Sequence, residues 1–266
     1  YTSTYFDIVR MLFEDSHNTS SSNLGEFFTP ETLAEFCAKL HYYPEDGALS
    51  VLDPTVGVGS TLRAVAVHHK CKVKLLCGID IKTHSTYLAE LSLGFSSVGS
   101  LIEVNDALTE TAKLDIGHNL VVANPPFNIK NWHTPERLAA PWFDGFTVPP
   151  NSNANYAFIL RRLYSVSPND PHARAFVIMS NGVLNSNDSK ISRKELIDKG
   201  HIEAIIQLPA KLFQNTAIPT CLLILTKHKP VDKVLMMDLS HAATPINRKQ
   251  VALKDMDIYI NIYHNW

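Results

Sequence analysis

The sequence predicts an α/β fold: a doubly wound, mainly parallel sheet of seven to eight strands in a Rossmann-like arrangement. Three observations carry this. Short apolar runs alternate with helical stretches from Gly47 onward, which implies crossover connections and helices on both sheet faces. The runs themselves are short and apolar, as Leu120–Ala123 and Ala175–Met179 show. Acids and glycines follow the runs directly, at the carboxyl ends where such sheets bind ligands.

The elements follow in order. Residues 3–15 carry Tyr5, Ile8, Val9, Leu12 and Phe13 at helical spacing, and Ser16 to Asn23 reads as a polar loop. A second helix is expected from Thr29-Pro30, with Thr as cap and Pro in the first turn. Strands are expected at Ser50–Leu52, Leu75–Ile79, Leu101–Val104, Leu120–Ala123, Ala175–Met179, Ile202–Ile206, Thr220–Leu225 and Val234–Met237. Helices are expected at Thr61–His68, Ser85–Leu93, Ala154–Val166 and, more weakly, Arg193–Asp198. Asn128 to Asn153 has no clear period, and unstructured connections this long are often functional. Its Trp132, Trp142, Phe143 and Phe146 serve equally to pack the loop down or to meet a ligand. The expected organisation is a helical segment at 1–46, a core at 47–240 and a tail at 241–266 that reads as the start of an extension.

Composition narrows the function. Lys and Arg number 24 against 26 Asp and Glu, so bulk positive charge is not available to hold nucleic acid. No apolar run approaches the roughly 18 residues of a membrane span, and no signal peptide is visible at Tyr1. Cys37, Cys71, Cys77 and Cys221 form no Cys-x-x-Cys pair, and Cys37 and Cys221 lie in apolar runs, which fits a reducing cytoplasm. The 12 histidines show no metal-ligand spacing, and His68-His69 is expected to be solvated.

The strand ends carry the chemistry. The first leads into Asp53-Pro54-Thr55-Val56-Gly57-Val58-Gly59, where two glycines permit close backbone approach to a ligand. Alone, it serves equally as a tight strand-to-helix turn. Its acid disfavours a dinucleotide pyrophosphate and suits a cationic amino group or sulfonium. Asp80, followed by Ile81, ends the second strand and is placed to take ribose hydroxyls. Asp106, followed by Ala107, follows the third and is placed to accept an adenine amino group. Three such acids favour an adenosine ligand that is not a dinucleotide, and S-adenosylmethionine fits best. The fourth strand ends in Asn124-Pro125-Pro126-Phe127. The Asn124 side chain and the Pro125 carbonyl offer two acceptors for a planar amino group, and Phe127 offers a ring for stacking.

In these motifs the chain resembles the modification subunit of type I restriction–modification systems, the N6-adenine DNA methyltransferase family. The resemblance runs from about Leu24 to Leu239. It includes Gly25 to Pro30, Asp53 to Gly59, Asn124 to Phe127, Asn155-Tyr156-Ala157-Phe158, Leu208 to Phe213 and Ile218 to Cys221. Thr55-Val56 and Ser60 depart from the family's Ala-Cys and Gly. The resemblance implies an S-adenosylmethionine-dependent methyltransferase fold. It also implies a cofactor site of Phe28, Thr29, Asp53, Pro54, Gly57, Gly59, Asp80, Ile81, Asp106 and Ala107, with catalysis at Asn124, Pro125, Pro126 and Phe127. DNA, a specificity subunit and a restriction subunit are the implied partners, and no metal or membrane is expected. A glutamine or RNA methyltransferase, or a scaffold without activity, are the other readings. A nicotinamide dehydrogenase fits less well, because Asp53 precedes the wrong glycine pattern.

Overall fold

The computed structural model describes residues 29–44, 47–94, 96, 98–109, 114, 117–213, 218–228 and 232–266. The helix expected at 3–15, the loop after it, and Phe28 lie outside the described residues. The first described helix, α1 (Glu31–Leu40), buries Leu33, Phe36, Cys37 and Leu40. Its cap position is Pro30 rather than Thr29, and no side chain caps it. Pro30 lacks an N–H and holds extended ψ, so it stops the helix from reaching further back.

Eight strands form one sheet: β1 (Leu49–Asp53), β2 (Val73–Asp80), β3 (Gly99–Val104), β4 (Leu120–Ala123), β5 (Arg174–Ser180), β6 (Ile202–Gln207), β7 (Thr220–Leu225) and β8 (Leu235–Asp238). Their order is β3-β2-β1-β4-β5-β7-β6-β8. All neighbours are parallel except β7, which runs antiparallel to both β5 and β6. This is the doubly wound sheet the sequence predicts. β4 and β7 are buried along their whole length and β5 nearly so, whereas edge strand β3 is largely exposed. That is why the central strands read as unbroken apolar runs. α2 (Ser60–His68) and α3 (Thr83–Leu93) provide the crossovers on one side of β1, and α5 (Asn155–Ser165) links β4 to β5.

Strand order reverses at β1. The chain moves outward through β2 and β3, then returns to place β4 on the other side of β1, where Leu52 pairs with Val121. The turns after β1 and β4 therefore leave the sheet side by side at a topological switch point.

Two expectations need correction, those for residues 128–153 and for His69, and the tail carries elements that the sequence pattern did not show. Residues 128–153 contain a short helix, α4 (Pro135–Leu138), capped by Thr134, and a 3-10 turn at Pro141–Phe143. The tail is ordered as a hairpin, β9 (Ala243–Pro245) with β10 (Val251–Leu253), followed by α8 (Met256–His264). α8 packs back on α1, and its Tyr263 hydroxyl donates to Glu203 Oε1 on β6, while Glu203 Oε2 pairs with Arg174 Nε at 2.7 Å. His69 is buried rather than solvated, with Nε2 3.0 Å from the Ala38 carbonyl oxygen, and burial lowers its pKa to about 4. The short helices α6 (Gly182–Asn185) and α7 (Lys190–Asp198) follow β5. Among the described residues, no helix is long and apolar enough to cross a membrane.

Candidate functional site

The glycine turn is built around two buried charges. Asp53, at the end of β1, is 2% exposed. Its Oδ1 accepts the Thr55 amide at 3.0 Å, and its Oδ2 accepts the Thr61 hydroxyl. The carboxylate is thus turned into the fold, where it ties the strand end to the first turn of α2. Burial pushes its pKa up to about 6, against the lowering effects of Thr61, Thr55 and the Arg162 charge. Arg162, fully buried on α5, donates to Thr55 Oγ1 at 3.1 Å and to the Phe158 carbonyl at 3.2 Å. Burial lowers the Arg162 pKa to about 9.

Gly57 and Gly59 take left-handed φ of 52° and 80°, so the turn needs residues without a Cβ. Nothing lies within 4 Å of where a Cβ on Gly57 would stand, so its face is open. The Gly57 amide donates to Asp80 Oδ2 at 3.0 Å, and Asp80 Oδ1 accepts the Lys82 amide at 2.9 Å. The ends of β1 and β2 are therefore locked together, with the apolar Ile81 side chain exposed beside them. Gly78 lets this happen, because a Cβ there would lie 2.9 Å from Val56 Cγ2 in the turn. Beyond β3, Asp106 accepts the Leu108 amide at 2.8 Å through Oδ1, and Ala107 is buried.

The Asn124–Phe127 loop leaves β4 with Asn124 and Pro126 half-buried and Pro125 buried. Phe127 is buried too, so its ring is not an open face. The loop exits through Asn128 at a left-handed φ of 59°, a conformation Asn tolerates better than most residues. A reciprocal amide bridge fixes it: the Asn128 amide donates to Asn155 Oδ1 at 2.8 Å, and Asn155 Nδ2 donates back to Asn128 Oδ1 at 3.1 Å. Asn155 sits at the start of α5, which also carries Arg162. One helix therefore supports both turns.

The aromatic segment that follows is packed down. Trp132 is fully buried, with Nε1 donating to the Pro150 carbonyl at 2.8 Å. Trp142 lies under the Arg161 guanidinium at 5.0 Å, and Phe146 is covered by Lys199 Nζ at 4.4 Å. Sequence reasoning missed Thr61, Arg162 and Asn128 as supports of the two turns. The signals available were the Arg161-Arg162 pair inside a mostly apolar helix and Asn128 directly after the loop. Thr29 is half-buried ahead of α1. Among the described residues, no group of three or more His, Cys, Asp or Glu side chains is arranged to hold a metal ion.

Comparison with known proteins follows the same lines. Residues 5–266 match the family model described as N-6 DNA Methylase. The type I restriction enzyme MjaIX methylase subunit of Methanocaldococcus jannaschii is 30% identical over 254 residues, covering 88% of this chain and 43% of that protein. The HindI methylase subunit of Haemophilus influenzae is 29% identical over 215 residues, covering 77% and 47% respectively. The chain thus spans less than half the length of these relatives. Among solved structures, the type I restriction-modification methyltransferase subunit of Streptococcus thermophilus superposes with a TM-score of 0.85 at 24% identity, covering 98% of this chain and 58% of that one. A class I S-adenosylmethionine-dependent methyltransferase of Listeria monocytogenes superposes at 0.71 with 21% identity, covering 90% and 73%. These two likenesses show that the chain shares the fold of both proteins.

Proposed function

The chain belongs to the N-6 DNA methylase family, and from that premise we propose that it transfers a methyl group from S-adenosylmethionine to adenine N6 in DNA. In this reading it acts as the modification subunit of a type I restriction–modification system, in the cytoplasm, with a specificity subunit and a restriction subunit as partners. One observation carries the proposal. The glycine turn with its Asp80 lock and the Asn124–Phe127 loop leave adjacent strands at the switch point, supported by one helix.

The cofactor fits the residues present. The open face over Gly57 leaves room for a ligand against the turn backbone. Asp80 is the acceptor for ribose hydroxyls, Ile81 the apolar contact for adenine, and Asp106 with Ala107 the site of its amino group. Pro54 stiffens the turn, and Thr29 and Phe28 belong at the methionine end. Asp53 acts through the turn, because it holds Thr55 and Thr61 in place.

When bound, S-adenosylmethionine supplies a methyl group already activated on a positively charged sulfur. The chain's own residues position the acceptor. The target adenine leaves the duplex, as base-modifying enzymes generally require. Its two N6 hydrogens are accepted by the Asn124 side-chain oxygen and the Pro125 carbonyl, with Pro126 fixing the turn and Phe127 rotating out to stack on the base. Those bonds free the N6 lone pair from ring conjugation. With the acceptor so held, S-adenosylmethionine would give up its methyl to N6 and leave as the neutral thioether, and the surplus N6 proton would pass to solvent. Alignment supplies much of the acceleration.

Two measurements test this. Calorimetric titration with S-adenosylmethionine should show saturable binding that Asp80→Ala loses. With a specificity subunit and DNA, product analysis should find N6-methyladenine, and Asn124→Ala should abolish it while binding cofactor nearly as wild type does. Methylated glutamine or RNA as the sole product, or near wild-type turnover by Asn124→Ala, refutes the proposal.

A further inference from the structure

Asp106 is already shared between the cofactor side and the segment beyond the Asn124–Phe127 loop. Its Oδ2 accepts from both Nε and Nη2 of Arg137, at 2.8 and 2.6 Å. Arg137 lies on α4, inside the 128–153 segment, and its Nη1 donates to the Trp132 carbonyl at 3.0 Å. Two donors fill the lone pairs of Oδ2, and the Leu108 amide takes one of those on Oδ1. A single acceptor position then remains on this carboxylate, on Oδ1.

Other contacts also hold the segment: Trp142 lies under the Arg161 guanidinium, whose Nε donates to the Ala107 carbonyl at 3.2 Å. The segment's start is held through the Asn128–Asn155 bridge, and its end through the Thr147 amide, which donates to Glu195 Oε2 on α7 at 2.9 Å. Between these ends, the Arg137 pair ties the segment directly to the Asp106 carboxylate. The pair is about four-fifths buried, with side chains 21% and 22% exposed, so solvent screens it only in part.

We infer that Arg137 is a positioning residue that fixes the Asp106 carboxylate and thereby couples cofactor binding to the seating of the 128–153 segment. The inference rests on the cofactor reading above. Its physical content is reciprocal: if a seated segment tightens cofactor binding, bound cofactor must hold the segment down by the same factor.

The test uses the 266-residue chain and four variants: Arg137→Gln, Arg137→Lys, Asp106→Asn and the double variant Asp106→Asn/Arg137→Gln. S-adenosylmethionine affinity is measured by calorimetry, and cleavage within 128–153 by limited proteolysis with and without cofactor. Arg137→Gln should weaken binding about ten-fold and abolish cofactor-dependent protection of the segment. Arg137→Lys, which keeps the charge but not the forked geometry, should recover part of both. The double variant should bind no worse than Asp106→Asn alone, because Arg137 acts through that carboxylate. Wild-type affinity in Arg137→Gln, losses that add in the double variant, or protection that survives without Arg137 overturns the inference. Melting curves identify any variant that fails to fold, and Arg137→Lys then carries the comparison. If the wild-type chain binds no cofactor, the cofactor reading itself falls and the coupling with it, an outcome distinct from binding that ignores Arg137.

Discussion

Thr61→Val removes one hydroxyl from a fully buried carboxylate and leaves the side-chain shape almost unchanged. The sign of the consequence depends on pH. Asp53 titrates at about 6 in the fold against an ordinary 3.8, so its protonated form is the favoured one inside the protein. Its contribution to stability is therefore fully present below about pH 4 and is lost as pH rises through about 6. The gap, 6 − 3.8 = 2.2, corresponds to ~3 kcal/mol at ~1.36 kcal/mol per pH unit. Above that window the Thr61 hydroxyl donates to a charged acceptor, and such a bond is worth ~1.5–3 kcal/mol. Below it the acceptor is neutral and the bond is worth ~1 kcal/mol. Thr61→Val should therefore lower Tm by ~3–12 °C at about pH 8 but by only ~2–4 °C at about pH 5, given ~2–4 °C per kcal/mol for a chain this size. Losing the hydroxyl also raises the Asp53 titration further, which NMR of its side-chain carboxyl carbon can follow. Equal Tm losses at the two pH values would refute the assignment of Thr61 as the partner of an ionised Asp53.

Two further outcomes follow from burial. Cys71 is exposed, while Cys37, Cys77 and Cys221 are buried with thiols pushed up to about 12, 11 and 12; a thiol reagent should label one cysteine in the native protein and all four after denaturation, as mass spectrometry of the labelled peptides will show. Tyr263→Phe removes the hydroxyl that α8 donates to Glu203 and should cost ~1.5–3 kcal/mol in a denaturant melt, whereas an unchanged midpoint would show that the tail is held by apolar contacts alone.

Much of this was legible in the sequence because burial on both faces leaves a plain mark. The runs at Leu120–Ala123, Ala175–Met179 and Thr220–Leu225 are strands for the reason they look like strands. Their direction was not legible: an apolar run reads the same either way, and nothing local marks β7 as antiparallel. The tail shows little pattern for another reason: Ile258, Ile260 and Ile262 lie on a helix whose Tyr259 and Tyr263 also pack on the core, so only Ile260 of the three is buried. That Asp53, Asp80 and Asp106 stand at or just after strand ends was legible by position. Where each carboxylate points was not. Asp53 turns inward because Thr61 and Thr55 meet it, and Arg162 reaches Thr55 from a helix 107 positions further along the chain.

The departures from the family's glycine loop have a physical account in these same contacts. Thr55 supplies the hydroxyl that gives buried Arg162 a partner, and its amide is fixed by Asp53. Val56 fills the space left open by Gly78, so the turn rests directly on β2. Ser60 begins α2 immediately after Gly59, whose left-handed φ makes the change of direction. The three substitutions thus fall where the turn meets its own support. The features facing a ligand are untouched: two left-handed glycines, an open face over the first, and an acid at the end of β2 bonded to its amide. Separation between this turn and the Asn124 loop is set by the β1–β4 pairing, in which Val51 meets Leu120 and Leu52 meets Val121. Neighbouring strands are ~4.8 Å apart whatever side chains the turns carry. The two halves of the proposed site can therefore keep their spacing while the residues supporting each turn change, provided the backbone ladder and the two glycines remain.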